Sequence, residues 1–266
     1  MPSRSALLSF ACVSLMVATA LAKPAAGGKP KTANGPLTAD NALALAKQVL
    51  PSDDGAKEVK LVGSSEGKFV GLASNKVVIV GPALALLVNV EEKAADIGTI
   101  RVAPHLFVVK TQGDQIELVS HLEPADLTYE IDPKTDKGTK IALSTLPVAK
   151  DGVGIVATLR KAEGSSSGAS ASVEETMILY VVQGDTLTIA FSVKVETSAT
   201  ERVSGVVEGT KETNKVELGK KGGRLVDLVV TTRKFETKGD NTDEYRPTTE
   251  RWCWSDKATT YLPECK

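Results

Sequence analysis

Between Thr186 and Glu196, Leu187, Ile189, Phe191, Val193 and Val195 occupy every second position, separated by Thr188, Ala190, Ser192 and Lys194. A helix repeats its apolar stripe every three or four residues, so a period of two over this length requires an extended strand with one side against a core. The run Ile178–Val182 precedes it across Gln183-Gly184-Asp185, a link short enough for a hairpin. Similar runs bounded by turn-forming residues predict strands at Glu58–Val62, Phe69–Ala73, Val77–Val80, Thr99–Val102, Leu106–Lys110, Ile116–Ser120 and Leu127–Ile131. Others follow at Lys140–Leu143, Gly154–Leu159, Arg202–Val207, Leu225–Phe235 and Thr249–Trp254. Most gaps between them are too short for a crossover helix, so antiparallel pairing is expected.

Leu84–Val90 is equally good helix material by propensity, but Gly81-Pro82 punctuates its start and the β-branched Val77–Val80 precedes it, which favours a strand. One helix is expected after Thr38, which can cap it. Its stripe is Ala42, Leu43, Leu45, Ala46, Val49 and Leu50, and Pro51 stops it. The expected fold is therefore mainly β, an antiparallel β-sandwich or partly open barrel with one N-terminal helix. Leu106–Val109 followed by Gln112-Gly113-Asp114 echoes Leu179–Val182 followed by Gln183-Gly184-Asp185, which keeps a small β-propeller-like repeat as the alternative.

The chain of 266 residues carries 32 basic and 33 acidic side chains, a net charge of -1, which excludes a phosphate-seeking, nucleic-acid-binding surface. With 42% apolar residues it can build a core, although only 4% are aromatic. Residues 1–22 read as a secretory signal peptide: Arg4 leads an apolar run from Ala6 to Ala20, and Ala20-Leu21-Ala22 is a small-x-small cleavage site. Lys23–Pro36, rich in Gly, Pro, Ala and Lys, reads as a flexible leader, and 37–266 as a single β-rich domain. No later run is long and apolar enough for a second membrane span, so no transmembrane span is expected in the mature chain. Cleavage removes Cys12 and leaves Cys253 and Cys265, whose even count and exported setting predict a disulfide.

Candidate chemistry is sparse. Gly164–Gly168 matches the G-x-S-x-G nucleophile elbow around Ser166, but it lies in a Ser/Gly run, and His105 and His121 both precede it where a base should follow. Ser65–Lys68 matches S-x-x-K without the helix that this spacing needs. His105 and His121 border predicted strands and lack a third ligand, which argues against a metal site. Asp240, Asp243 and Glu244, in a loop read over Lys238–Arg246, could offer oxygens to calcium, as could Asp132 and Asp136, but turn formation accounts for both groups; no cofactor is expected. Trp252, Trp254 and Tyr261 are read first as a core strand beside the disulfide and second as an aromatic platform for a ligand.

The segment Leu179–Leu187, followed by Arg251-Trp252-Cys253-Trp254 and Tyr261, resembles a loosely related group of exported, β-rich bacterial envelope proteins of unassigned function. The likeness covers residues 163–262, implies a bacterial cell-envelope setting and supplies no catalytic residues to carry over; the signal segment makes the expected location periplasmic or extracellular. The expected function is non-catalytic binding of a macromolecule or cell-envelope polymer. The alternatives are a glycan hydrolase using a carboxylate pair and an inhibitor of an envelope enzyme.

Overall fold

In a computed structural model of the chain, residues 31–50, 57–74, 76–93, 98–165, 167–221 and 223–263 are described. The elements run in the order β1 (Thr32–Asn34), α1 (Ala39–Lys47), β2 (Lys57–Ala73), β3 (Lys76–Lys93), β4 (Ile100–Gln112) and β5 (Gln115–Leu122). After a short 3₁₀ turn at Ala125–Leu127 come β6 (Tyr129–Ile131), β7 (Lys140–Ala149), β8 (Gly152–Gly164), β9 (Ser170–Gln183) and β10 (Thr186–Val203). The last are β11 (Val206–Lys221), β12 (Val226–Lys238), β13 (Asn241–Glu244), β14 (Thr248–Ser255) and β15 (Thr260–Pro263). All fifteen strands belong to one hydrogen-bonded sheet that is not closed into a barrel. Among the described residues the fold is mainly β with one N-terminal helix, as the strand alternation and the capped apolar stripe predict. Pairing is antiparallel except where the end of β2 runs parallel to β8 and β9.

Two meanders, β2 to β5 and β7 to β10, form the body. Each closes on a two-residue turn, with Gln112 paired to Gln115 and Gln183 paired to Thr186. Gly113 and Gly184 adopt φ of 62° and 60°, the left-handed conformation that glycine enters without steric cost. The echo in the sequence is thus one turn solution used at the same place in two meanders.

Three apolar layers hold the sheet. Phe69, Ala85, Leu87, Leu106, Ile155 and Tyr180 are buried between the meanders. On the outer side of the first meander, Leu84, Leu86, Val88, Phe107 and Val109 meet Ala42, Leu45 and Ala46 of α1. On the outer side of the second, Val156, Leu179, Val181 and Phe191 meet Leu228, Val230 and Tyr261. Ala83–Val90 is therefore buried on both faces, which is why it reads as a continuous apolar run instead of an alternating one. Thr38 caps α1 as expected, its Oγ1 accepting from the Asn41 N–H at 3.3 Å.

The alternation in β10 has a different consequence from the one it predicts. Pairing with β9 skips Ala190, a β-bulge. An inserted residue turns the odd-numbered positions to the other side of the sheet. Leu187 accordingly packs between the meanders, Ile189 is exposed, and Phe191 and Val193 join the outer core. One strand thus serves two cores.

Three further readings are corrected. The strand expected over Arg202–Val207 is a hairpin tip: Val203 pairs with Val206, and Ser204 and Gly205 turn with φ of 51° and 85°. β11 was invisible as a strand because its residues are largely polar on both faces. Within Lys23–Pro36, Thr32–Asn34 is not free leader but an edge strand on β5, and the loop at Lys238–Arg246 contains β13. The signal segment, Pro51, Ser166 and Cys265 lie outside the described residues.

Asp227, 1% exposed, is held by Arg251, whose Nε donates to Oδ2 at 3.0 Å and whose Nη2 reaches the same oxygen. This ties β12 to β14. Arg251→Ala should destabilise the fold by about 3 kcal/mol in denaturant titration by leaving a buried carboxylate unpaired. Phe69→Ala should cost about 3 to 5 kcal/mol through the cavity it leaves, and Val206→Ala at the exposed tip less than about 0.5 kcal/mol.

Candidate functional site

Beyond the cores, β8 to β12 continue as a polar sheet whose connections gather at one end. Arg202 N–H donates to Ala169 O at 2.8 Å, Gly239 N–H to Val207 O at 2.8 Å, and Gly164 N–H to Thr135 O at 2.9 Å. These bonds bring together the Ser/Gly turn between β8 and β9, the tip of β10 and β11, the turn from β12 to β13 and the loop after β6. The polar interruptions noted in the sequence therefore meet in space.

Beside them lies a groove of about 670 Å³. Two rows of cross-strand partners belong to its lining, alternating along the strands with Gly164, Ala171, Thr200, Gly209 and Thr237. The first is Glu163, Ser172, Ala199, Thr210 and Glu236. The second is Ser170, Glu201, Glu208 and Lys238. With neighbouring strands about 4.8 Å apart, the first row spans roughly 19 Å across five strands. Ala199 stands at the centre of that row. Gly209 lets β10 and β11 approach there, since a Cβ on it would lie 2.8 Å from Ala199 O.

The groove is anionic, with four glutamates against Lys238, which itself sits 3.8 Å from Glu208. At its border Tyr245, 54% exposed, donates its hydroxyl to Glu236 Oε2 at 2.7 Å, and this bond to a carboxylate raises the phenol above its ordinary value. An open trough of hydroxyls and carboxylates with an aromatic edge suits an extended ligand rich in hydroxyl or amino groups.

The residues singled out in the sequence are distributed elsewhere or differently. Trp252, Trp254 and Tyr261 do come together, but around Phe191: Trp252 meets Phe191 edge-on at 5.2 Å and Trp254 meets Tyr261 at 5.5 Å. Their rings close the outer core of the second meander. Tyr261 donates to Val226 O at 2.9 Å, and burial raises its phenol far above the ordinary value. Cys253 lies on β14 between the two tryptophans; Cys265, its expected partner, is outside the described residues.

Asp240 lies in the turn before β13, Asp243 faces Glu236 across the ladder, and Glu244 pairs with Arg233 at 3.6 Å. Asp132 and Asp136 accept backbone N–H bonds from Lys134 and Thr139, each at 2.9 Å, as turn formers do. Among the described residues no three His, Cys, Asp or Glu side chains converge as a metal shell. Ser65 and Lys68 lie on the extended β2, without the helical turn that the S-x-x-K arrangement uses.

One arrangement escaped the sequence. His105 Nδ1 and His121 Nε2 face each other at 3.0 Å, and Phe107 stacks on His121 with centroids 4.4 Å apart. Burial lowers both imidazoles to about 4; for His121 the neighbouring His105 and Lys31 add to this and Glu123 opposes it.

Comparison with known proteins gives no relative: no family model, curated protein or solved structure matches this chain.

The histidine shifts make stability depend on pH. Unfolded histidines bind protons from about pH 6.5 downward, whereas the folded ones do so only near 4. The stability from the neutral pair is thus complete above about pH 6.5 and is lost as pH falls toward 4. Melting followed from pH 7.5 to 4 should show this decline, and replacing both histidines by Phe should flatten it.

Proposed function

We propose that this chain is an exported, non-catalytic protein that holds a hydroxyl- or amine-bearing polymer of the cell envelope in the groove across β8 to β12. The observation that carries the reading is the convergence of four polar connections on a trough lined by Ser, Thr and Glu residues drawn from five strands. Such loop ends on a rigid sheet are where binding residues concentrate. Among the described residues no helix is long and apolar enough to cross a membrane.

Export rests on the signal segment and on the resemblance of residues 163–262 to exported β-rich envelope proteins. A Cys253–Cys265 bond belongs to the same reading, as a closure for the end of the chain in an oxidising compartment. The mature protein should begin at Lys23 by intact mass, with one disulfide revealed on reduction and alkylation. A mature chain retaining residues 1–22 would remove the export reading.

The hydrolase alternative has one observation in its favour. Glu201 and Glu208 are direct partners across β10 and β11, so two carboxylates stand side by side in the groove lining. A glycosidase needs such a pair, with its carboxyl groups about 5 to 9 Å apart.

Cosedimentation with purified cell-wall material separates the readings. The wild-type chain should be retained intact and release no sugar. Ala199→Arg, which puts a long cation in the middle of the groove lining, and Tyr245→Ala should each weaken retention at least about tenfold while changing stability by under about 0.5 kcal/mol. Equal retention of these variants, or no retention at any salt concentration, would defeat the groove assignment. Release of reducing sugar that vanishes in Glu208→Gln would establish the hydrolase instead.

A further inference from the structure

We propose that His105 and His121 form an acid-operated latch at the seam between the two meanders, closed while the rings share one proton and opened when both become charged. The rings are nearly parallel, at 17° with centroids 5.3 Å apart, and meet through the 3.0 Å contact between Nδ1 and Nε2. That contact needs one N–H and one lone pair, so the neutral rings adopt matching tautomers. A single added proton can go to an outer nitrogen and leave the contact intact. A second one cannot: two imidazolium rings would point N–H at N–H across a contact in which one ring, His105, is only 5% exposed.

Location turns this pair into a latch. His105 is on β4 and His121 near the end of β5, whose neighbour across the open side is the turn from β9 to β10. The His121 N–H faces Asp185 O of that turn at 3.4 Å, a hydrogen bond between the first and second meanders. Phe107, stacked on His121, belongs to the apolar layer under α1, so movement of the ring loosens that layer as well as the seam.

The charged surroundings do not neutralise a doubly protonated pair. Opposite His105 on β3 stands Val88. Lys31, ahead of β1, disfavours positive charge on His121, and Glu123, just past β5, favours it; the Lys31 ammonium is itself bound to Gln48 O, at 2.6 Å. From the second meander the Asp185 turn contributes its carbonyl.

The test is native-state hydrogen exchange on the full chain from pH 7 to 4, expressed as protection factors so that the intrinsic pH dependence of exchange cancels. Protection at 119–122 and 183–188 should fall as pH drops below about 6.5, steepening toward a hundredfold per pH unit as two protons are taken up, while β11 and β12 amides, which open only with the whole fold, keep higher protection at each pH. Replacing both histidines by Phe keeps the ring stack and should abolish the fall. If that double variant does not fold, His105→Phe alone should reduce the limiting slope to about tenfold per pH unit, because one proton then suffices. The latch is overturned by an undiminished fall in the double variant, by an unchanged limiting slope in His105→Phe, or by wild-type protection that stays constant to pH 4.

Discussion

The structure depends on burying both faces of its central strands. With one short helix among the described residues, two broad sheet faces are not covered by helices as they are in a parallel α/β protein. Instead the sheet folds over so that its meanders face each other across Phe69, Leu87, Leu106 and Tyr180. The helix α1 then covers one remaining face, and β12, β14 and β15 curl over the other. The aromatic residues near the end of the chain gather in that last layer, where large side chains fill the space left by small ones such as Ala190.

β-Bulges make this folding-over possible, because they let one strand contribute to different layers along its length. The bulge at Ala190 moves β10 from the interlayer core to the outer one, and irregularities in β2 between Leu61 and Gly63 and between Gly67 and Phe69 lie just before the strand reaches β8 and β9. Past Val195 neither face of β10 is needed for a core. The strands there carry Ser, Thr, Glu and Lys, and the sheet becomes a polar surface on which a ligand can lie.

The strand content, the helix with its Thr38 cap and the Gly-centred hairpins were legible because each is written in a local pattern. β11 was not, since polar residues occupy most of both its faces and no alternation marks it. The groove was invisible for a related reason: Glu163, Ala199 and Glu236 come from three segments of the chain and meet only through register. The histidine pair came nearest to being found. Counting from the turn at Gly113-Asp114, a regular hairpin sets His121 opposite Leu106, on the other face from His105. The bulge between Val108 and Val109 shifts the register so that His121 pairs with Phe107 and shares a face with His105. A single unpaired residue therefore decides whether the two rings meet, and no local pattern announces it.

The repeated two-residue turns carry a consequence for how the chain reaches this state. Hairpins closed by Gln112–Gln115 and Gln183–Thr186 need only neighbouring residues, so each can form before the rest of its meander is in place. The contacts that bind the meanders together join positions far apart in the chain, Phe69 with Val153 and Gly71 with Val182. Their loop-closure cost is repaid only once both halves are assembled. Until then the inner faces of two half-built sheets are open to water and to other chains, and assembly is a race between intramolecular docking and association with a neighbour.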